Sequence, residues 1–63
     1  MPIKVRELIR LIEKKGWVEI RSRGSHRHFK HPDEIFIITV PGNDGKEVAL
    51  GTLNAILKKA GLK

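Results

Sequence analysis

Both ends of this chain carry apolar residues at helical spacing, and the stretches between them are patterned as strands. In "PIKVRELIRLIEKKG" the apolar residues fall at Val5, Leu8, Ile9 and Ile12. That is the i, i+3, i+4, i+7 spacing of a helix with one buried face. "GTLNAILKKAGL" repeats it at Leu53, Ile56, Leu57 and Ala60. Pro2 suits the start of the first helix and Gly16 its C-terminal cap, while Thr52 and Gly61 are expected to cap the second. Lys14, Lys15, Lys58 and Lys59 fall in the last turns, where the helix dipole favours cations, so they require no functional explanation.

The middle of the chain reads as three strands. "WVEIRS" alternates, with Val18 and Ile20 expected on one face and Trp17, Glu19 and Arg21 on the other. "SRGS" supplies a glycine for a hairpin turn, and "HRHFKH" runs back as the partner strand. On it His26, His28 and Lys30 share one face, and Arg27 and Phe29 the opposite one. Phe29 is the natural core residue, so the two histidines are expected to look outward. "HPDE" reads as a turn, "EIFIITV" as a third, largely buried strand, and "PGNDGKE" as a polar loop. The fold class is therefore α+β, in the order helix, strand, strand, strand, helix. A three-stranded antiparallel sheet with two helices on one face lets three apolar surfaces bury one another. The other sheet face is left to solvent.

Residues 1–63 are expected to form one domain with a thin core, since a chain of about 60 residues buries only roughly 60% of its unfolded surface. A deep pocket is excluded on this scale, so function belongs on an exposed surface with a large partner. Thirteen Lys and Arg against seven Asp and Glu give a formal charge of +6. So strong a bias points to a polyanion, nucleic acid before an acidic protein or an anionic membrane. With no cysteine there is no disulfide framework and no Cys-type zinc site, which fits a reducing cytoplasm. No apolar run approaches the roughly 20 residues that span a bilayer, and "MPIKVRELIR" lacks the features of a signal peptide. A cytoplasmic location without a membrane partner is the expectation.

All three histidines fall within "RGSHRHFKHP", residues 23–32, and no acidic residue lies between Ile20 and Pro32. Four readings compete for this hairpin. It could be a solvated basic face whose histidines are incidental. It could bind a metal through His26, His28 and His31, but no Cys, Asp or Glu is near until Asp33, and the arginines repel a cation. It could bind nucleic acid without chemistry, although stacking platforms are missing apart from Phe29. Finally, a histidine could perform acid–base chemistry on RNA, whose 2′-hydroxyl is a built-in nucleophile. One imidazole then moves the proton and nearby Arg or Lys stabilise the added charge, with no metal or cofactor required. The inventory fits this last reading, but the residues alone leave His26 and His28 equal.

The segments "LIRLIEKKGWVEIRSRGSHRHFKHP" and "VPGNDGKEVALGTLNAILKKAGL" closely resemble the HicA family of bacterial and archaeal toxins over nearly the whole chain. The likeness includes the "GW" opening the first strand, the "GSH" turn followed by an aromatic, and the closing "GTL…IL…AGL". It implies a fold like the double-stranded-RNA-binding domain, αβββα, which agrees with the order derived from the pattern. It further implies a type II toxin acting as a ribosome-independent endoribonuclease, an mRNA interferase. The mRNA would be its substrate and a HicB-type antitoxin its partner. The family's catalytic histidine falls on His26, with Gly24 and Ser25 at the preceding motif positions. Arg23, Arg27 and Lys30, with His28 beside them, are expected to hold the RNA backbone, and Lys4, Arg6 and Arg10 to extend the track. The competing expectation is a non-catalytic double-stranded-RNA-binding module. Such modules usually carry lysines at the start of the final helix, where "GTLNAI" has none. A third reading, a basic face docking an acidic protein, is compatible with a toxin that its antitoxin neutralises.

Overall fold

In the computed structural model, which describes residues 3–62, the chain folds as α1 (Val5–Lys14), β1 (Val18–Arg23), β2 (His26–Lys30), β3 (Ile37–Val40) and α2 (Leu50–Lys59). The three strands form one antiparallel sheet in the order β1-β2-β3, with β2 central. This is the expected αβββα arrangement. Val5, Leu8, Ile9 and Ile12 of α1 join Leu53 and Ile56 of α2 over Phe29, Ile38 and Val40 of the sheet. Trp17, Val48 and Ala60 complete this core, in which Phe29 is the largest fully buried side chain.

The helix ends follow local chemistry. Lys15 caps α1 and Gly16 follows at φ 101°, the left-handed conformation that glycine adopts without strain. α2 begins earlier than expected. Its N-cap is Ala49, without a side-chain bond, so Thr52 lies in the first turn instead of capping it. At the other end Ala60 is the cap and Gly61 follows it at φ 79°. The role expected of Pro2 lies outside the described residues.

Two strand expectations are corrected. Arg21 does not share the face of Glu19 as the alternation implies, and Val18 and Ile20 are 60% and 51% exposed, whereas Trp17 is buried at 2%. The reason is parity. Glu19 sits opposite Phe29, but the next pair is Arg21 with His28, so Ile20 is an extra residue in a β-bulge. Val18 precedes the bulge opposite Lys30, on the face turned away from the helices. The third strand is also shorter and less buried than its apolar sequence implies. Only Ile38 and Val40 of β3 are buried, Ile37 is exposed, and Ile35 stands 97% exposed in the preceding loop. β3 is an edge strand with one solvated face, and apolar content alone does not reveal which face is covered.

His31 belongs to this framework. Its Nε2 meets the Lys15 carbonyl at 2.9 Å, and its Nδ1 accepts the Asp33 backbone N–H at 3.0 Å. A carbonyl can only accept and an amide N–H can only donate, so these partners select the neutral tautomer protonated at Nε2. The ring also packs 5.3 Å from Trp17. It ties the loop after β2 to the end of α1.

Phe29→Ala should cost about 3–5 kcal/mol. That is comparable with the whole stability of a 63-residue chain, roughly 3–9 kcal/mol at 0.05–0.15 kcal/mol per residue. The variant is expected to be largely unfolded at 25 °C by far-UV circular dichroism and urea titration. A cooperative transition at the parent's midpoint would contradict this packing.

Candidate functional site

β2 carries the site because its neighbours leave one of its faces bare. Phe29 and Arg27 point toward the helix layer, which sends His26, His28 and Lys30 to the open face. The bulge at Ile20 then matters a second time. Without it Arg21 and Arg23 would sit on the helix side. With it, Arg21 lies opposite His28 and Arg23 opposite His26. One inserted residue thus brings two arginines onto the histidine face.

The hairpin turn is two residues long. Gly24, at φ 59°, takes the first central position, where a type II′ turn requires glycine. Its conformation explains its presence without any ligand. Ser25 and His26 follow, and they form one wall of an open cleft of about 280 Å³ at the end of the sheet. The other walls are Gly42, Lys46 and Glu47 of the loop after β3, and Ala49 and Thr52 at the start of α2.

The three histidines differ in what they are free to do. Both ring nitrogens of His31 are engaged, as described above. His28 Nδ1 lies 2.9 Å from Thr39 Oγ1 across the β2–β3 ladder. The exposed His26 ring has no hydrogen-bond partner among the described residues. Among those residues no three His, Cys, Asp or Glu side chains converge as metal ligands. His31, fixed at the far end of β2 by Lys15 and Asp33, cannot join the other two.

Arg27 is placed apart from the remaining cations of the hairpin. Its guanidinium makes a two-bond fork to Glu19, Nη2 to Oε1 at 2.8 Å and Nε to Oε2 at 3.3 Å. Its Nη1 donates to Asp44 Oδ1 at 2.6 Å. These hydrogen bonds hold the Glu19 carboxyl below its usual range. Burial opposes that shift and the Arg27 charge adds to it. Lys30 also has a local partner, the Glu34 carbonyl at 2.6 Å. Lys4, Arg6 and Arg10 belong to α1 and its start, in the layer behind the sheet and not on the histidine face.

Asp44 connects Arg27 to the cleft. Its backbone carbonyl accepts the Arg6 N–H at 3.2 Å, and the Lys46 carbonyl accepts the Val5 N–H at 2.8 Å. The first amides of α1, which no intrahelical carbonyl can satisfy, thereby pin the loop that bears Lys46 and Glu47. Sequence reasoning did not find Arg21 as a face residue or Lys46 as a cleft residue. A bulge has no clear sequence signature, and Lys46 lies 20 positions from His26, in a loop whose docking depends on backbone bonds.

The geometry defines a small basic α+β domain with a cationic sheet face and, among the described residues, one imidazole without a hydrogen-bond partner at an open cleft. Comparison with known families makes this specific. The profile of the HicA toxin of bacterial toxin–antitoxin systems matches residues 5–62. The chain belongs to the HicA toxin family, and its role is that of the toxin in such a system, with an antitoxin as its counterpart. Searched against curated proteins, the chain finds no significant match. No helix among the described residues is long and apolar enough to cross a membrane.

The Glu19–Arg27 pair gives a signed pH prediction. Glu19 loses its proton more readily folded than unfolded, so its stabilising effect is present above the ordinary glutamate value of 4.5 and is lost as pH falls below it. Glu19→Gln should therefore lower the thermal midpoint near pH 6 by a few degrees at most, as suits a partly exposed pair. The gap to the parent should narrow as the pH is taken toward 3. Parallel midpoint curves for the two proteins over that range would remove the pair from the stability of the fold.

Proposed function

We propose that this toxin is an endoribonuclease that cleaves mRNA by acid–base catalysis at His26, without a metal or other cofactor. The observation that carries the reading is the position of His26. It is the imidazole with no internal partner among the described residues, and it lines a cleft beside Lys46 and opposite Arg23. Histidine titrates nearest neutrality, so its ring can give or take a proton during phosphodiester cleavage. The substrate provides the attacking 2′-hydroxyl, and cations hold the charge that grows on the phosphate.

Arg21, Arg23 and His28 flank His26 on the open face and suit the backbone on either side of the cleavage point. Lys30 stands at the far end of the same strand. Arg27 serves the fold in this reading, since two carboxylates already occupy it. Single-stranded RNA is the fitting substrate, because the 2′-oxygen must swing into line with the departing 5′-oxygen and an A-form helix resists that motion. Cytoplasmic transcripts are then the targets. A HicB-type antitoxin would silence the enzyme by covering the open face, where Val18 and Ile37 lie exposed on either side of Lys30.

His26→Ala should lower cleavage of a defined transcript by about 10²–10⁴-fold, the usual contribution of a general acid or base, and abolish growth inhibition. Circular dichroism should be unchanged, since the exposed ring supports nothing. Incubation with a chelator should leave the parent's rate intact and yield 2′,3′-cyclic phosphate ends. Parent-like cleavage by the variant would refute the role of His26. Tight duplex-RNA binding by the parent without any cleavage would favour a binding module instead.

A further inference from the structure

Cleavage of RNA by its own 2′-hydroxyl needs two proton transfers, on opposite sides of phosphorus. The attacking 2′-oxygen must lose a proton, and the departing 5′-oxygen must gain one. A single imidazole can serve one side. We infer, resting on the ribonuclease reading above, that Glu47 is the second catalytic group: it acts as the general base while His26 acts as the general acid.

The seven acidic side chains sort themselves. Glu7 accepts the Lys4 N–H at the start of α1. Glu19 and Asp44 are held by Arg27. Glu13 lies on α1, and Asp33 and Glu34 in the loop after β2. Among the described carboxylates, Glu47 alone lines the cleft that His26 lines.

The two groups reach that cleft from different segments, His26 from the hairpin and Glu47 from the loop after β3. They can therefore flank a phosphate seated between them, with Lys46 beside it. The loop is held for the purpose. Val5 and Arg6 donate to the carbonyls of Lys46 and Asp44, the Lys46 N–H bonds the Asn43 carbonyl at 2.9 Å, and Glu47 pairs with Lys4 as an isolated bridge. Its backbone is thus fixed before any substrate arrives, as positioned catalysis requires.

The roles follow from the groups. A carboxylate has no proton to give and can only accept one, whereas an imidazolium can donate. Glu47 removes the proton of the 2′-hydroxyl, and that oxygen forms a new bond to phosphorus. The bond from phosphorus to the 5′-oxygen breaks, and His26 transfers its proton to the departing oxygen. The products are a 2′,3′-cyclic phosphate and a 5′-hydroxyl. Glu47 is left protonated and His26 neutral, and exchange with water restores both.

The test separates base from acid by the leaving group. Parent, Glu47→Gln, Glu47→Asp and His26→Ala are assayed on a transcript and on an RNA oligomer ending in a 3′-(4-nitrophenyl phosphate). The nitrophenolate of the second substrate departs without needing a proton. Glu47→Gln keeps the side chain's shape at an exposed position and should fold like the parent by circular dichroism. It should lose about a hundredfold or more in kcat on both substrates, with KM little changed. Glu47→Asp should recover part of that loss. His26→Ala should be severely impaired on the transcript but recover most of its rate on the nitrophenyl ester.

Glu47→Gln within about threefold of the parent on the transcript would overturn the inference while leaving His26 in place. A loss that shrinks on the nitrophenyl ester for Glu47→Gln but not for His26→Ala would reverse the two roles and overturn it equally. Full transcript cleavage by His26→Ala would sink the underlying ribonuclease reading instead.

Discussion

Phe29 fixes the phase of the central strand, and every candidate site side chain on it takes its direction from that one burial. Side chains alternate along a strand, so an aromatic ring committed to the helix layer commits His28 and Lys30 to the opposite face and His26 with them. Slipping the register by one residue would bury two imidazoles and an ammonium and expose the Phe29 ring. The desolvation penalty makes such a slip prohibitive. β1 lacks an anchor of this kind within its own span. Its phase is set by Trp17 before it and reset by the bulge at Ile20, and the reset is what places Arg21 and Arg23 beside the histidines. A small sheet has few residues per strand, so a single bulge redirects half of β1.

The polar residues divide into those that the fold consumes and those it leaves available. His31 is consumed at the end of α1, Arg27 by two carboxylates, and Lys30 by a carbonyl. These contacts join elements that short apolar faces hold together weakly. Arg27 in particular links Glu19 of the sheet to the loop that forms a wall of the cleft, which it reaches through Asp44. A residue that looks like part of a phosphate track in the sequence is, in space, a brace behind it. What stays available on the open side is His26 with Arg21 and Arg23 around it, His28 through its second ring nitrogen, and Lys46 and Glu47 across the cleft.

Much of this was legible before any coordinates. The helices, their buried stripes, the order of elements and the orientation of β2 follow from periods of 3.6 and 2, since the residues concerned are strongly apolar and regularly spaced. The phase of β1 was not legible, because "WVEI" contains three apolar residues and the pattern permits either parity once a bulge is allowed. Nor was the burial of β3, where "IFII" is apolar throughout and only the helices decide which side is covered. The proposed site was half legible. The hairpin declares itself by its three histidines and its lack of acids. Lys46 does not, and the sequence leaves Glu19 and Glu47 equal as carboxylates that could serve His26; the loop reaches the cleft through bonds between its backbone and the start of α1, and such bonds carry no side-chain signature.

The separation of these two sets of residues has a physical basis. Among the described residues no polar or charged residue is buried, so the core is wholly apolar and no ionisable group is locked inside it. In a chain whose total stability is a few kcal/mol, a buried catalytic group would place its desolvation cost directly against folding. The proposed site at the end of the sheet avoids that conflict, since His26 and Glu47 are exposed. The rigidity that catalysis demands then comes from backbone pins and from the brace at Arg27, not from enclosure. A surface site of this kind is also one that another protein can cover without unfolding anything. That is the property a toxin needs if it is to be held silent by an antitoxin and released intact.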